Sequence, residues 1–127
     1  MNRLLLWAAL ILAAASTTEA SMVSRKGLAS WYGEAHRGKL MANGKKFNPD
    51  RLTAASWFYP LGTKLRVTAK ASDNSARSVV VTITDRGPAH DLVREGRIID
   101  LTHAAYKRLG RPDLGLVTVT VQPADHP

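Results

Sequence analysis

Strict alternation of apolar and polar positions marks the middle and the end of the chain. From Thr63 to Ala69, Leu65 and Val67 alternate with Lys64, Arg66 and Thr68, the period-two pattern of a half-buried strand. Arg77 to Thr84 repeats it with Val79, Val81 and Ile83 on one face. Ser72-Asp73-Asn74-Ser75 lies between the two runs and is built of turn formers, so the pair predicts a hairpin. Leu116 to Val121 alternates again as a closing strand. Nearer the start, Gly27 to Tyr32 reads as a strand stopped at Gly33. The stretch through Gly38, Asn43-Gly44 and Asn48-Pro49 is mostly loop. Asp85-Arg86-Gly87-Pro88 ends the second hairpin strand in a sharp turn, a polar loop runs to Gly96, and Ile98-Ile99 resumes an extended segment. Leu101, Ala104, Ala105 and Leu109 fall at roughly helical spacing up to Gly110, with Thr102 placed to cap that short helix. Several short strands, one short helix and many turns predict a compact β-barrel, because closure removes the edges a small open sheet would expose.

The first twenty residues have a different pattern. A positive start at Arg3 precedes the apolar run Leu4 to Ala15, and Thr18-Glu19-Ala20 offers small residues for cleavage. A dozen apolar residues fall short of the roughly 20 needed to span a bilayer, so residues 1–20 read as a cleavable secretory signal and not an anchor. Ser21 to Lys26 reads as a short linker, 27–122 as the barrel domain and 123–127 as a tail. With 127 residues, 45% of them hydrophobic, there is room for one core and no second domain. The absence of cysteine leaves packing alone to hold the fold, and excludes thiol chemistry and lipid attachment through a cysteine.

Lys and Arg outnumber Asp and Glu by 18 to 10, a net charge of +8. Such a balance attracts polyanions, and if the exported protein is bacterial these are wall polymers, lipid phosphates and stem-peptide carboxylates. Nucleic acid is disfavoured by the export signal and by bases that come singly or in pairs, as at Lys45-Lys46, Arg37 and Arg108. The four histidines show no metal-ligand spacing, so no metal and no cofactor is expected. Trp57-Phe58-Tyr59, with Trp31 and Tyr32, could stack on sugar rings, although a small barrel needs about half of such residues for its interior. Trp57 is the one expected to be exposed.

The strings Ala29–Gly33 (ASWYG), Met41–Pro49 (MANGKKFNP), Leu52–Ser56 (LTAAS), Pro60–Thr63 (PLGT), Ser78–Pro88 (SVVVTITDRGP) and Gly96–Ala105 (GRIIDLTHAA) occur in this order. Together they resemble the rare lipoprotein A family, from about Gly27 to Val121. The resemblance implies a mainly β fold, a six-stranded double-psi β-barrel with one or two short helices, shared with expansins and barwin-like proteins. It also implies lytic transglycosylase activity on peptidoglycan glycan strands, with a preference for strands lacking stem peptides.

Such an enzyme must protonate the glycosidic oxygen, stabilise an oxocarbenium-like centre and deprotonate the muramic acid 6-hydroxyl as the anhydro ring closes. One carboxyl can do both proton transfers if it is partly desolvated. Asp85 matches the family's catalytic aspartate, at the end of an apolar strand; its alternative role is to cap the turn and pair with Arg86. Tyr32, Lys45, Ser56, Trp57 and Arg86 are the expected substrate-binding residues. Active relatives usually carry a glutamate at the position of Lys45 and a histidine at that of Ser56. A lysine near Asp85 would oppose both an acid and an oxocarbenium ion. Glu34, Asp91 and Glu95 read first as solvated surface charges, with a second carboxylate as the alternative role of each, and Asp100 is assigned a structural hydrogen-bonding role before a catalytic one.

Two functions follow: an endolytic peptidoglycan transglycosylase, or a non-catalytic expansin-like module that binds peptidoglycan or another polysaccharide. In either case the expected partner is the glycan strand, with no nucleic acid and no stable membrane insertion. The protein is expected to be a monomer, exported to the periplasm or cell envelope.

Overall fold

A computed structural model describes residues 23–111 and 113–124. The expected signal sequence lies outside them, as does most of the expected C-terminal tail. Six strands, β1 (Arg25–Tyr32), β2 (Thr53–Ala55), β3 (Lys64–Lys70), β4 (Ala76–Asp85), β5 (Arg97–Thr102) and β6 (Val117–Pro123), close into a barrel in the order β1-β5-β2-β4-β3-β6. Two short helices, α1 (His90–Arg94) and α2 (His103–Lys107), and a 3-10 turn at Glu34–His36 complete the described elements. This is the six-stranded barrel that the resemblance implied. No helix among the described residues is long and apolar enough to cross a membrane.

The alternating runs form the wall. β3 and β4 pair antiparallel from Lys64 opposite Thr82 to Lys70 opposite Ala76, so the hairpin stands as its pattern predicts. Leu65, Val67, Val79, Val81 and Ile83 all turn inward, each 5% exposed or less. Val119 and Val121 from β6, Ile99 and Leu101 from β5, and Ala29 and Ala54 fill the rest of the interior. Burying one such aliphatic side chain stabilises by about 1.5–3 kcal/mol, and these contacts replace the disulfides the chain lacks. Thr102 caps α2 by accepting the Ala105 N–H, and its hydroxyl donates to the Arg51 carbonyl; α2 in turn buries Tyr106 against the barrel.

The structure departs from the sequence reading in three places. β1 begins at Arg25, which pairs with Val121, and so takes up the last residues of the expected linker. Thr53–Ala55 is a strand, too short and too small-chained for alternation to reveal it. The loop before Gly96 contains α1, which buries no residue and therefore left no apolar stripe to read.

Two parallel pairings, β1 with β5 and β2 with β4, connect segments far apart in sequence. Their register sets up the site. Ala55 on β2 lies between Asp85 of β4 and Asp100 of β5, and Asp100 lies beside Ser30 of β1. Both parallel ladders shift register near this end, at Leu28/Ala29 and at Ala54/Ala55. Such irregularities bend strands and redirect side chains at barrel rims.

Candidate active site

At this end of the barrel, Ser30, Tyr32, His36, Ala55, Asp85, Gly87 and Asp100 line an open cleft of about 370 Å³, with Trp31, Arg86, Ala89, Leu92 and Arg97 around them. Asp85 and Asp100 flank one residue of the central strand, so their Cα atoms stand about two strand spacings apart, roughly 9–10 Å. The floor between them is made of small residues. A Cβ on Gly87 would sit 3.2 Å from Asp100 Oδ2 and 3.3 Å from the Ala55 Cβ. Glycine at this position therefore leaves room for the Asp100 carboxyl.

The two carboxylates differ in their surroundings. Asp85 Oδ1 accepts the backbone N–H of Ala42 at 2.9 Å and that of Arg86 at 2.8 Å, while no donor among the described residues reaches Oδ2. The first of these bonds ties the Met41–Pro49 loop to the rim. Asp100 accepts a hydrogen bond from the Ser30 hydroxyl. Burial nevertheless raises its pKa above the ordinary carboxylate value, against the opposing effects of that bond and of Arg97 and His36. Desolvation is the larger effect because the charged form loses water it cannot fully replace.

Tyr32 completes the set. Its ring stacks on Phe47 at 4.4 Å, and its hydroxyl is buried with no hydrogen-bond partner among the described residues. Burial, and then the charges of Asp85 and Asp100, push its pKa upward, so it is a neutral donor at any physiological pH. A buried hydroxyl left unpaired beside two carboxylates has given up its hydration without replacing it, and a ligand oxygen that reached it would supply the missing bond.

The other predicted residues do not all meet here. Arg86 borders the cleft, but its guanidinium donates to the carbonyls of Ser56 at 2.8 Å and Tyr59 at 2.6 Å. It makes no ion pair with Asp85 and instead pins the segment after β2. Ser56 is 1% exposed; its hydroxyl donates to Ile98 O at 3.0 Å and accepts from the Phe58 N–H, so it is a buried connector outside the cleft lining. Lys45 lines a separate groove. Trp57 is the most exposed of the five aromatic residues at 44%, with its indole N–H on the Pro88 carbonyl and its ring stacked on His90 at 4.5 Å. Tyr59 is in the core.

Of the possible second carboxylates, Glu34 is bound to Arg37 at the surface, and Asp91 and Glu95 are exposed outside the cleft lining. The carboxylate that does share the cleft is Asp100, which lines it while also making, with Ser30, the structural hydrogen bond expected from the sequence. Its signal was present in the Ile-Ile-Asp run: a charged residue directly after two apolar strand residues must end at a rim or in a cleft. Among the described residues no three His, Asp or Glu side chains come close enough to hold a metal ion.

Comparison with known proteins identifies the family and the fold. Residues 24–121 match a family model described as lytic transglycolase. A probable endolytic peptidoglycan transglycosylase RlpA of Synechocystis sp. is 38% identical over 117 residues, covering 90% of this chain and 34% of the relative. The endolytic peptidoglycan transglycosylase RlpA of Vibrio cholerae is 36% identical over 99 residues, 78% of this chain and 35% of its own. The chain thus spans about a third of the length of these relatives. Among solved structures, the expansin of Clavibacter michiganensis superposes with a TM-score of 0.59 at 23% identity, over 83% of this chain and 52% of that one. A mutant of the same expansin, solved in complex with cellohexaose, gives the same TM-score at 19% identity. The fold is therefore the double-psi β-barrel, and the chain belongs to the lytic transglycolase family, whose barrel domain it shares with rare lipoprotein A.

Proposed function

We propose that the chain cleaves peptidoglycan glycan strands by lytic transglycosylation, acting within the strand, favouring strands without stem peptides and leaving 1,6-anhydromuramic ends. The observation behind this reading is the pairing of two unlike carboxylates across Ala55 in one open cleft. Asp100, whose burial favours its protonated form, donates to the glycosidic oxygen as the C1–O bond breaks. Asp85, with Oδ2 unoccupied, offsets the positive charge developing at C1 and then takes the proton of the muramic 6-hydroxyl as that oxygen closes on C1. The proton passes back to Asp100 through solvent, so the cycle consumes no water. Tyr32 donates to a substrate oxygen, Trp57 offers a ring face for a sugar, and Arg86 holds the turn that aims Asp85.

A second reading, a non-catalytic glycan-binding module, is favoured by Ser56, whose buried and bonded hydroxyl brings no acid or base to the cleft. Digesting peptide-free glycan strands with the purified chain and analysing products by mass spectrometry separates the two. Anhydromuramic ends from wild type, reduced about 10²-fold or more in both Asp85→Asn and Asp100→Asn, support the enzyme. Binding to strands with no such product supports the module. Undiminished product from Asp85→Asn would end the assignment of that residue.

A further inference from the structure

Beside the cleft runs a larger groove of about 940 Å³, lined in part by Lys45, Lys46, Arg51, Met41, Leu61 and Thr84. The two depressions adjoin. Thr84 lines one and Asp85 the other, and the Ala42 N–H that holds Asp85 lies between Met41 and Asn43 of the groove wall.

Among the described residues no acidic side chain lines this groove. Arg37, at its edge, is already occupied by Glu34 at 2.6 Å and Asp50 at 2.9 Å. Lys45, Lys46 and Arg51 are exposed and have no ion pair among the described residues. The backbone that carries the two lysines is held in place. Their loop is closed by the N–H of Phe47 on Lys39 O, of Gly38 on Phe47 O and of Met41 on Lys45 O, with Lys45 N–H on Asn43 Oδ1. Buried Phe47 anchors it under Tyr32. Cations gathered on an ordered backbone in a recess of ligand-binding size, with no acid among the described residues lining it, favour an anionic group.

We infer that the Lys45–Lys46–Arg51 groove is a carboxylate-binding subsite that engages an acidic side group of the same glycan strand whose backbone lies in the cleft. This deepens the transglycosylase reading and rests on it. Every muramic residue bears a lactyl ether, and its carboxyl is ionised wherever no peptide is attached. A strand crossing Asp85 and Asp100 then presents a negative charge on each muramic residue that continues into the groove. Stem-peptide carboxylates are the other source of the same chemistry.

The test is equilibrium binding, by tryptophan fluorescence, of the chain carrying Asp85→Asn, so that the ligand persists. Three ligands are compared at low salt: peptide-free strands, the same strands with their carboxyls converted to amides by carbodiimide, and strands retaining peptides. Each exposed cation–carboxylate contact is expected to contribute about two- to fivefold, and the three together roughly tenfold or more. Amidation weakens binding by that factor. Combining Lys45→Gln, Lys46→Gln and Arg51→Gln lowers affinity for peptide-free strands to the level of amidated ones and leaves affinity for amidated strands unchanged. Combining Lys26→Gln, Lys70→Gln and Lys107→Gln removes equal charge away from the groove and has little effect. Tighter binding of peptide-bearing strands, lost in the groove variant, also supports the subsite and places the carboxylate on the peptide. Equal affinity for amidated and native strands, or equal losses in the two triple variants, overturns the inference. If wild type still releases anhydromuramic product in that case, only the subsite fails; if it forms none, the cleavage reading fails separately.

Discussion

Replacing Tyr32 by phenylalanine separates stability from ligand binding, because the two effects have opposite signs. The hydroxyl is buried without a partner, while the ring stacks on Phe47 at 4.4 Å and the substitution leaves that contact intact. A buried hydroxyl that has lost its water and gained nothing costs about 1–3 kcal/mol, so Tyr32→Phe should stabilise the ligand-free protein by at least about 1 kcal/mol. For a domain of this size that raises the melting temperature by about 4–8 °C. The same substitution removes the donor offered to a glycan oxygen, and affinity for peptide-free strands should fall by up to about tenfold, the equivalent of one net hydrogen bond. Thermal denaturation by circular dichroism, with and without glycan strands, reads both effects. A melting temperature that falls, or binding that is unchanged, would refute the reasoning: the first would mean the hydroxyl has a partner in the free protein, the second that no ligand uses it.

Other substitutions test the frame around the site. Because burial raises the pKa of Asp100 above its value in the unfolded chain, its contribution to stability is present at low pH and is lost as the pH rises from the ordinary carboxylate value, ~3.9, through the folded-state value. Asp100→Asn escapes that loss, so its denaturant midpoint should gain on wild type as pH increases from 4 to 7; a constant difference would contradict the desolvated environment. Arg86→Ala leaves the Ser56 and Tyr59 carbonyls without their donor and should cost about 2 kcal/mol in urea denaturation. Ile83→Ala opens a cavity in the barrel interior and should cost about 2–5 kcal/mol by the same assay. Gly110→Ala meets both a φ of +75° and an Ala71 Cβ only 2.7 Å away, and a stability equal to wild type would show that the helix end relaxes freely.

The hairpin of β3 and β4 was legible because its pairing is local: two alternating runs and a turn between them leave one register that buries Leu65, Val67, Val79, Val81 and Ile83 together. The Thr102 cap was legible for the same reason, since its partner is three residues away. β2 was not, because three residues, two of them alanine, form a strand only when β4 and β5 close on either side. Asp85 stood out at the end of its strand, yet no pattern placed Asp100 opposite it. Ser56 and Lys45 share the family motif with Asp85, yet the fold buries the first and places the second in the lining of a different recess.

What the chain determines by itself is therefore everything that depends on residues a few positions apart: the alternating faces, the turns, the cap, the basic balance and the ordered strings that identify the family. What required the tertiary structure is the meeting of Ser30, Tyr32, Asp85 and Asp100. Ser30 and Asp100 are 70 residues apart and are joined only through a parallel pairing. Parallel strands need long crossover connections, so their register is set by the packing of the whole barrel and leaves no short-range trace. The chemistry of the cleft depends on that register, since it alone half-buries one carboxyl and leaves another with a free oxygen.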